Sequence, residues 1–264
     1  MVKEFEGKNY WALVLGGSSG LGFASARKLA EHGMNILIVH RDRKDDLPEI
    51  KSAFEDIRGL GVKLHSFNRD ATRKDRREEI REQIKEILGE EGKIRTMLHS
   101  ISKGNLKSML GEQPTLQNID FQQTIDAMAI SLYDWTRLIY DAELFCKDAR
   151  ILSFTSEGNT KAWKNYAAVS AAKVALEAIT RSIALEFAPK GIRANCIQAG
   201  VTVTRSLELI PSFETLRQHA LKRNPFKRLT TPSDVANAVY LLSKDEASWI
   251  TGTVIPVNGG EHLK

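Results

Sequence analysis

The chain is poor in cysteine and has no metal-binding spacing. Its two cysteines, Cys146 and Cys196, form no CxxC pair, so both are expected to be buried free thiols in a reducing compartment. The six histidines make neither HxxxH nor HExxH, which leaves no metal site to argue for. No apolar run approaches the length that spans a bilayer, and Met1–Gly7 is polar and acidic rather than signal-like. No membrane partner and a cytoplasmic location are therefore expected. Zinc-finger spacing and aromatic-basic RNA motifs are also missing, so the net charge of +5 is read as a match for an anionic cofactor or an acidic protein, not nucleic acid. Linker-like segments and internal repeats are absent too. The 264 residues are expected to form one α/β domain.

What the chain does have is an alternation of short apolar runs and amphipathic stretches. Strands are expected at Trp11–Leu15, Asn35–Val39, Lys63–Phe67, Thr96–Ser100, Arg150–Phe154, Ile192–Gln198 and Thr253–Val257. Helices are expected between them, among them Leu47–Leu60, Lys74–Leu88, Pro232–Leu242 and a long one over Asp120–Cys146. That long helix carries an apolar stripe through Ile125, Met128, Leu132, Trp135 and Ile139. The alternation predicts a doubly wound, seven-stranded parallel sheet of Rossmann type, with ligands at the C-terminal ends of the strands.

The first strand runs directly into Gly16-Gly17-Ser18-Ser19-Gly20-Leu21-Gly22 and then a helix. Strand, glycine turn and helix in that order suit a dinucleotide, because glycine lets backbone N–H groups approach a pyrophosphate at a helix N-terminus. After the second strand comes His40-Arg41-Asp42-Arg43. A carboxylate there would favour a free ribose 2′-hydroxyl, whereas an arginine favours a 2′-phosphate. Arg41 beside the ribose points to NADPH, with Asp42 as its competitor. Asp70-Ala71, after the third strand, lies where a loop meets the adenine.

The stretch around which the rest is organised is the Ala-rich helix opening at Tyr166 and carrying Lys173 seven residues later. Seven residues make almost two turns, so the two side chains share one face about 10 Å apart along the axis. A phenol and an ammonium placed so can serve as proton donor and cofactor anchor. Taken alone, the pair reads better as a helix start and a solvated charge, and only the rest of the chain reverses that.

Together these features resemble the short-chain dehydrogenase/reductase family from about Trp11 to Gly260. The resemblance rests on Gly16-x3-Gly20-x-Gly22, Asp70-Ala71, Asn195 with Ala199-Gly200, and Thr251-Gly252 with Asn258-Gly259-Gly260. Standard members have Tyr-x3-Lys, but here the residue four before Lys173 is Val169. Tyr-x6-Lys is similar instead to the enoyl-acyl-carrier-protein reductases, as are His99-Ser100-Ile101 and Ile130-Ser131-Leu132-Tyr133. Ser156 stands ten residues before Tyr166, where many of that branch carry a second tyrosine and an NADPH-dependent subset has serine. Its separation from Lys173 also matches the serine of the parent family, so its role is left open.

The resemblance implies reduction of an enoyl thioester on an acyl-carrier protein by a homotetramer. Tyr166 and Lys173 would be catalytic, with Ser156 as a third candidate. Gly16, Ser18, Gly20, Leu21, Arg41, Asp70, Ala71, Ile101, Lys173, Thr202 and Thr204 would line the cofactor site. Moving the tyrosine from four to seven residues before the lysine shifts it about 4.5 Å along the helix. That displacement suits conjugate reduction, in which charge develops on an oxygen several bonds from the carbon that takes the hydride. A 3-oxoacyl or small-carbonyl reductase and a silent dinucleotide-binding protein are the other readings. The segment 204–228 breaks the strand–helix rhythm and is expected to form a lid. Leu207, Leu209, Ile210, Phe213 and Leu216 would be its apolar wall, and Arg205, Arg217, Lys222, Arg223, Lys227 and Arg228 a basic rim for the carrier.

Overall fold

Consecutive apolar residues in β1 (Tyr10–Leu15) point alternately to two faces, and this sorts the core into two layers. Trp11, Leu13 and Leu15 pack on one side, with Leu37 and Val39 of β2 (Asn35–His40). Ala12 and Val14 pack on the other, with Ile36 and Ile38. A computed structural model describes residues 2–111, 114–204, 207 and 213–263. Its sheet is completed by β3 (Leu64–Asn68), β4 (Lys93–His99), β5 (Phe145–Thr155), β6 (Ile192–Ala199) and β7 (Val254–Val257). All seven strands are parallel, in the order β3-β2-β1-β4-β5-β6-β7. The order reverses between β1 and β4, which opens a crevice at their C-terminal ends.

Helices α1 (Gly20–Glu31) and α2 (Leu47–Arg58) cover one face, and α3 (Lys74–Leu88) covers the other. The expected helix Asp120–Cys146 differs from what forms. It consists of α4 (Asn118–Ile125), a π-helical segment Asp126–Ile130, and α5 (Ser131–Asp141). The chain reverses at Glu143, which takes a left-handed φ of 58°, and Phe145-Cys146 already belong to β5, with Phe145 opposite Ile94. Cys146 is therefore half-buried on a strand, while Cys196 is buried as expected. The π segment also splits the apolar stripe. Leu132, Trp135 and Ile139 stay in the sheet-facing core, whereas Met128 packs with Val169 and Ala172 beside the crevice.

α6 (Ala167–Glu186), α7 (Phe213–Arg223) and α8 (Pro232–Ser243) complete the helices described here. At the end of the sheet opposite the crevice, Arg95 of β4, Arg150 of β5 and Arg193 of β6 converge on Asp148. Arg95 and Arg150 are 0% and 1% exposed. Their Nε atoms donate to the carbonyls of Ser243 and Leu242 at 3.1 Å each, so two buried cations close the C-terminus of α8. Among the described residues no helix is long and apolar enough to cross a membrane, and no group of His, Cys, Asp and Glu could hold a metal.

Candidate functional site

The crevice is a cleft of about 430 Å³, and the proposed site residues converge on it from distant parts of the chain. Gly16, Ser18, Gly20 and Leu21 line one wall. Gly16 has φ +87°, and a Cβ on it would fall 2.6 Å from the Ser100 carbonyl oxygen. A Cβ on Gly22 would come 2.1 Å from the Gly16 carbonyl oxygen, so the turn closes only with glycine at both places. Ser19 offers no side-chain cap to α1, and the first turn of α1 has no acidic residue. The helix start is thus an uncapped, positively polarised end at the cleft wall, a cradle that fits a diphosphate.

At the end of β2 the two competitors separate. Asp42 turns its carboxylate to the buried His40, with Nδ1 2.7 Å from Oδ2, while Arg41 lines the cleft. Arg41 donates to Asp70 Oδ2 at 3.0 Å, and Lys103 approaches the same oxygen at 3.4 Å. Burial works to raise the Asp70 pKa, but hydrogen bonds from Thr72 and the cations Lys103 and Arg41 outweigh it and hold the carboxyl down at about 2. Two cations thus share one carboxylate, and Arg69 also lines the cleft, a charge balance that fits a phosphate. Ala71 and Ile101 line the cleft nearby.

The other wall carries Ser156, Tyr166 and Lys173. Tyr166 caps the N-terminus of α6, so its ring leaves the helix at the cleft. The Ser156 hydroxyl lies 3.5 Å from the Tyr166 hydroxyl. Burial pushes the phenol's pKa up, and the Ser156 contact pulls weakly the other way. Lys173 is 8% exposed and donates to the Phe154 carbonyl oxygen at 2.6 Å. Burial pulls its pKa down to about 8, opposed in part by Cys196 and Glu177. Among the described residues Tyr166 is the only tyrosine lining the cleft. Val169 is buried against Met128 and Ala172, and Gly104 packs so closely that its Cβ would meet Val169 Cγ2 at 2.5 Å.

Thr202 and Thr204 line the far side, Thr202 bonded to the Gly200 carbonyl at 2.9 Å. Of the expected apolar wall, Leu207 lines the cleft, Phe213 and Leu216 are not among its lining residues, and Leu209 and Ile210, with Arg205, lie outside the described residues. One member of the expected basic rim is corrected. Arg217 is paired with Glu214 at 2.9 Å and Arg228 with Asp234 at 2.6 Å, while Arg223 points inward to Glu157 and Glu261. Arg217 and Arg228 keep much of their side chains in water, and Lys222 and Lys227 are exposed, so among the described residues Arg223 alone is turned away from the expected rim.

Sequence reasoning missed several contributors. Gly158 is one: the Tyr166 ring lies over it, and a Cβ there would meet Tyr166 Cε1 at 2.6 Å. His99 is another. It is buried, its pKa pulled down to about 3 by burial and by Lys173, and its Nε2 lies 2.7 Å from Ser131 Oγ. Ser131 spends its own proton on the Ala127 carbonyl, so Nε2 of His99 is the donor, and the pair pins the π segment that turns Met128 to the cleft. Lys103, Trp163 and Glu261 also line the cleft. The HSI motif and the fixed seven-residue spacing carried signals for some of these, but long-range pairs such as Glu157 with Arg223 left none.

Comparison with known proteins agrees with this architecture. Residues 16–262 match the family model described as "Enoyl-(Acyl carrier protein) reductase". The 3-oxoacyl-(acyl-carrier-protein) reductase FabG of Staphylococcus epidermidis is 28% identical over 257 residues, covering 97% of this chain and 100% of its own. An enoyl-(acyl-carrier-protein) reductase (NADH) from Aquifex aeolicus superposes with a TM-score of 0.82 at 24% identity, over 98% of both chains. An enoyl-(acyl-carrier-protein) reductase from Anaplasma phagocytophilum in complex with NAD gives 0.83 at 20% identity, over 100% of this chain and 95% of its own. At such identities the structural likeness speaks for the fold alone. With a family match spanning nearly its whole length, the protein belongs to the short-chain dehydrogenase/reductase family of oxidoreductases, in the group described as enoyl-(acyl carrier protein) reductases.

Proposed function

We propose that the protein reduces the trans-2 double bond of an enoyl thioester with NADPH, as a step of fatty-acid synthesis. The observation that carries this reading is the pairing of Tyr166 with Lys173 across seven residues, with Val169, a side chain that has no proton to donate, lining the cleft at the position where a ketoreductase would have its tyrosine. NADPH would supply the hydride. The uncapped start of α1 with Gly16, Ser18, Gly20 and Leu21 would bind its diphosphate. Arg41 and Lys103 would bind the 2′-phosphate, each exchanging Asp70 for it, while Asp70 and Ala71 border the adenine. Lys173 would anchor the nicotinamide ribose, and Ile101, Thr202 and Thr204 would flank the nicotinamide end.

The Tyr166 hydroxyl would donate a hydrogen bond to the thioester oxygen, where negative charge collects as hydride reaches the β-carbon. Its raised pKa keeps the proton on the phenol at neutral pH. Ser156, in contact with that hydroxyl, would orient it. Leu106, Met128 and Trp163 would take the acyl chain at the apolar end of the cleft. The carrier is proposed to be acyl-carrier protein, the substrate carrier in the names of the matched relatives. A lid over 204–228 would close over the chain. Ile130 of the π segment, Tyr133 of α5 and Val174 of α6 leave apolar surface exposed, which supports the homotetramer reading.

The second reading, a 3-oxoacyl reductase, is favoured by the identity to FabG and by Ser156 beside the phenol. Initial rates of NADPH oxidation with a trans-2-enoyl and a 3-oxoacyl thioester separate the two. Faster turnover of the enoyl substrate is expected, and a preference for the 3-oxoacyl substrate would replace the first reading by the second.

A further inference from the structure

Arg223 ends α7, on the segment expected to present a basic rim, yet its side chain is only 11% exposed. Its guanidinium donates to Glu157 Oε1 and, at 3.0 Å, to Glu261 Oε1. Both carboxylates line the cleft. Glu261 follows β7 and accepts from the Val201 amide through its other oxygen at 3.3 Å. Glu157 holds Lys161 on its second oxygen at 3.0 Å. Two carboxylates and one guanidinium, buried together, are unlike a docking surface. Among the described residues Arg223 Nε has no hydrogen-bond partner.

A buried ion pair is weak evidence for net stability, because desolvation cancels much of its attraction. Its place in the chain says more. Glu157 sits between Ser156, which touches the Tyr166 hydroxyl, and Gly158, over which the Tyr166 ring lies without room for a methyl group. The Gly158 carbonyl is in turn fixed by Ser170 of α6 at 2.5 Å. Three residues thus form a bed for the ring, and the middle one is gripped from outside by α7.

We propose that Arg223 is a positioning residue that ties α7 to the bed of Tyr166, so that the phenol holds its working geometry only while α7 is docked. This rests on the reading of Tyr166 as hydrogen-bond donor to the substrate. Docking of α7 and correct placement of the phenol then become one event.

The test uses the full chain and four variants: Arg223→Gln, Arg223→Lys, Glu157→Gln with Arg223→Gln, and Arg217→Gln as an exposed control on the same helix. Hydrogen exchange by mass spectrometry is read on segments 156–166 and 213–223 without substrate. Steady-state kinetics use whichever coenzyme A thioester, enoyl or 3-oxoacyl, the wild type reduces. Arg223→Gln is expected to speed exchange in both segments and to lower kcat about ten- to a hundredfold, with the dinucleotide Kd changed less than about twofold. Arg223→Lys recovers part of kcat, the double variant is no worse than Arg223→Gln alone, and Arg217→Gln behaves as wild type.

Faster exchange confined to 213–223, or a dinucleotide Kd that rises in step with the fall in kcat, would overturn the proposal. So would equal effects of Arg217→Gln and Arg223→Gln. If Arg223→Gln does not fold, Arg223→Lys and an added single variant, Glu157→Gln, carry the same comparisons. A protein that turned over only the 3-oxoacyl thioester would refute the enoyl reading and leave the exchange and kcat results to judge Arg223 separately.

Discussion

The two ends of the sheet use the same residue types for opposite purposes. At the N-terminal ends of the strands, Arg95, Arg150 and Arg193 are saturated by Asp148, Asp245 and the carbonyls that end α8. At the C-terminal ends, polar groups face a cleft with capacity left over. Arg41 keeps 59% of its side chain exposed, and the start of α1 has no side-chain cap. Lys173 is buried with its charge under strain rather than neutralised by a contacting carboxylate. The first arrangement holds elements together. The second is poised to take a ligand, which is why the chemistry is sought there.

That contrast can be broken from either side. The largest effect is expected from Tyr166→Phe, which removes the donor and nothing else. Its kcat should fall about 10²–10³-fold, the loss typical of one oxyanion donor, with thermal stability unchanged. Equal loss of stability and activity would mean that the ring serves packing instead. At the other end, Asp148→Ala leaves two buried guanidiniums without their shared carboxylate. Urea unfolding should show a loss of about 3 kcal/mol, at the low end of the range for breaking a buried pair because Asp148 keeps part of its side chain in water. Its kcat below the unfolding transition should match wild type. A kinetic defect without a stability loss would erase the distinction between the two ends.

Arg41→Ala comes next. NADPH binding should weaken by about 1.5–3 kcal/mol, the range for a hydrogen bond to a charged group, with little change for NADH. Equal weakening of both would remove the 2′-phosphate argument.

The smallest effect is a shift in pH dependence. Burial penalises the ammonium form of Lys173, so the lysine is charged below about pH 8 and neutral above it. kcat/KM should therefore fall as pH rises through that value, while the phenol, its pKa raised, remains protonated. Glu177 favours the charged form of Lys173, so Glu177→Gln should move the descending limb to lower pH. A limb that stays where it was, or moves up, would assign the titration to another group.

The legible parts of the molecule were those written in nearby residues. The glycine turn, the Tyr166-to-Lys173 spacing and the strand alternation need only local geometry, and the sheet and the cleft followed from them. The inward turn of Arg223 and the break in the long helix have physical causes that lie elsewhere in the chain. Arg223 pairs with Glu157 and Glu261, which are distant in sequence, so its inward direction has no local signal. The helix over Asp120–Cys146 has an unbroken apolar period, but Glu143 adopts a left-handed conformation and Phe145 is claimed by Ile94 in the sheet. Met128 left the core stripe because a π segment, pinned by His99 and Ser131, rotates it to the cleft. Tertiary partners, not propensity, decided each of these.

The most direct test of the central claim is a competition. Equal concentrations of a trans-2-enoyl and a 3-oxoacyl thioester are offered to the protein with limiting NADPH, and the acyl products are resolved by mass. A site in which, among the described residues, the one cleft tyrosine stands seven residues before Lys173 should yield the saturated acyl thioester as the main product. Predominance of the 3-hydroxyacyl thioester would contradict the account.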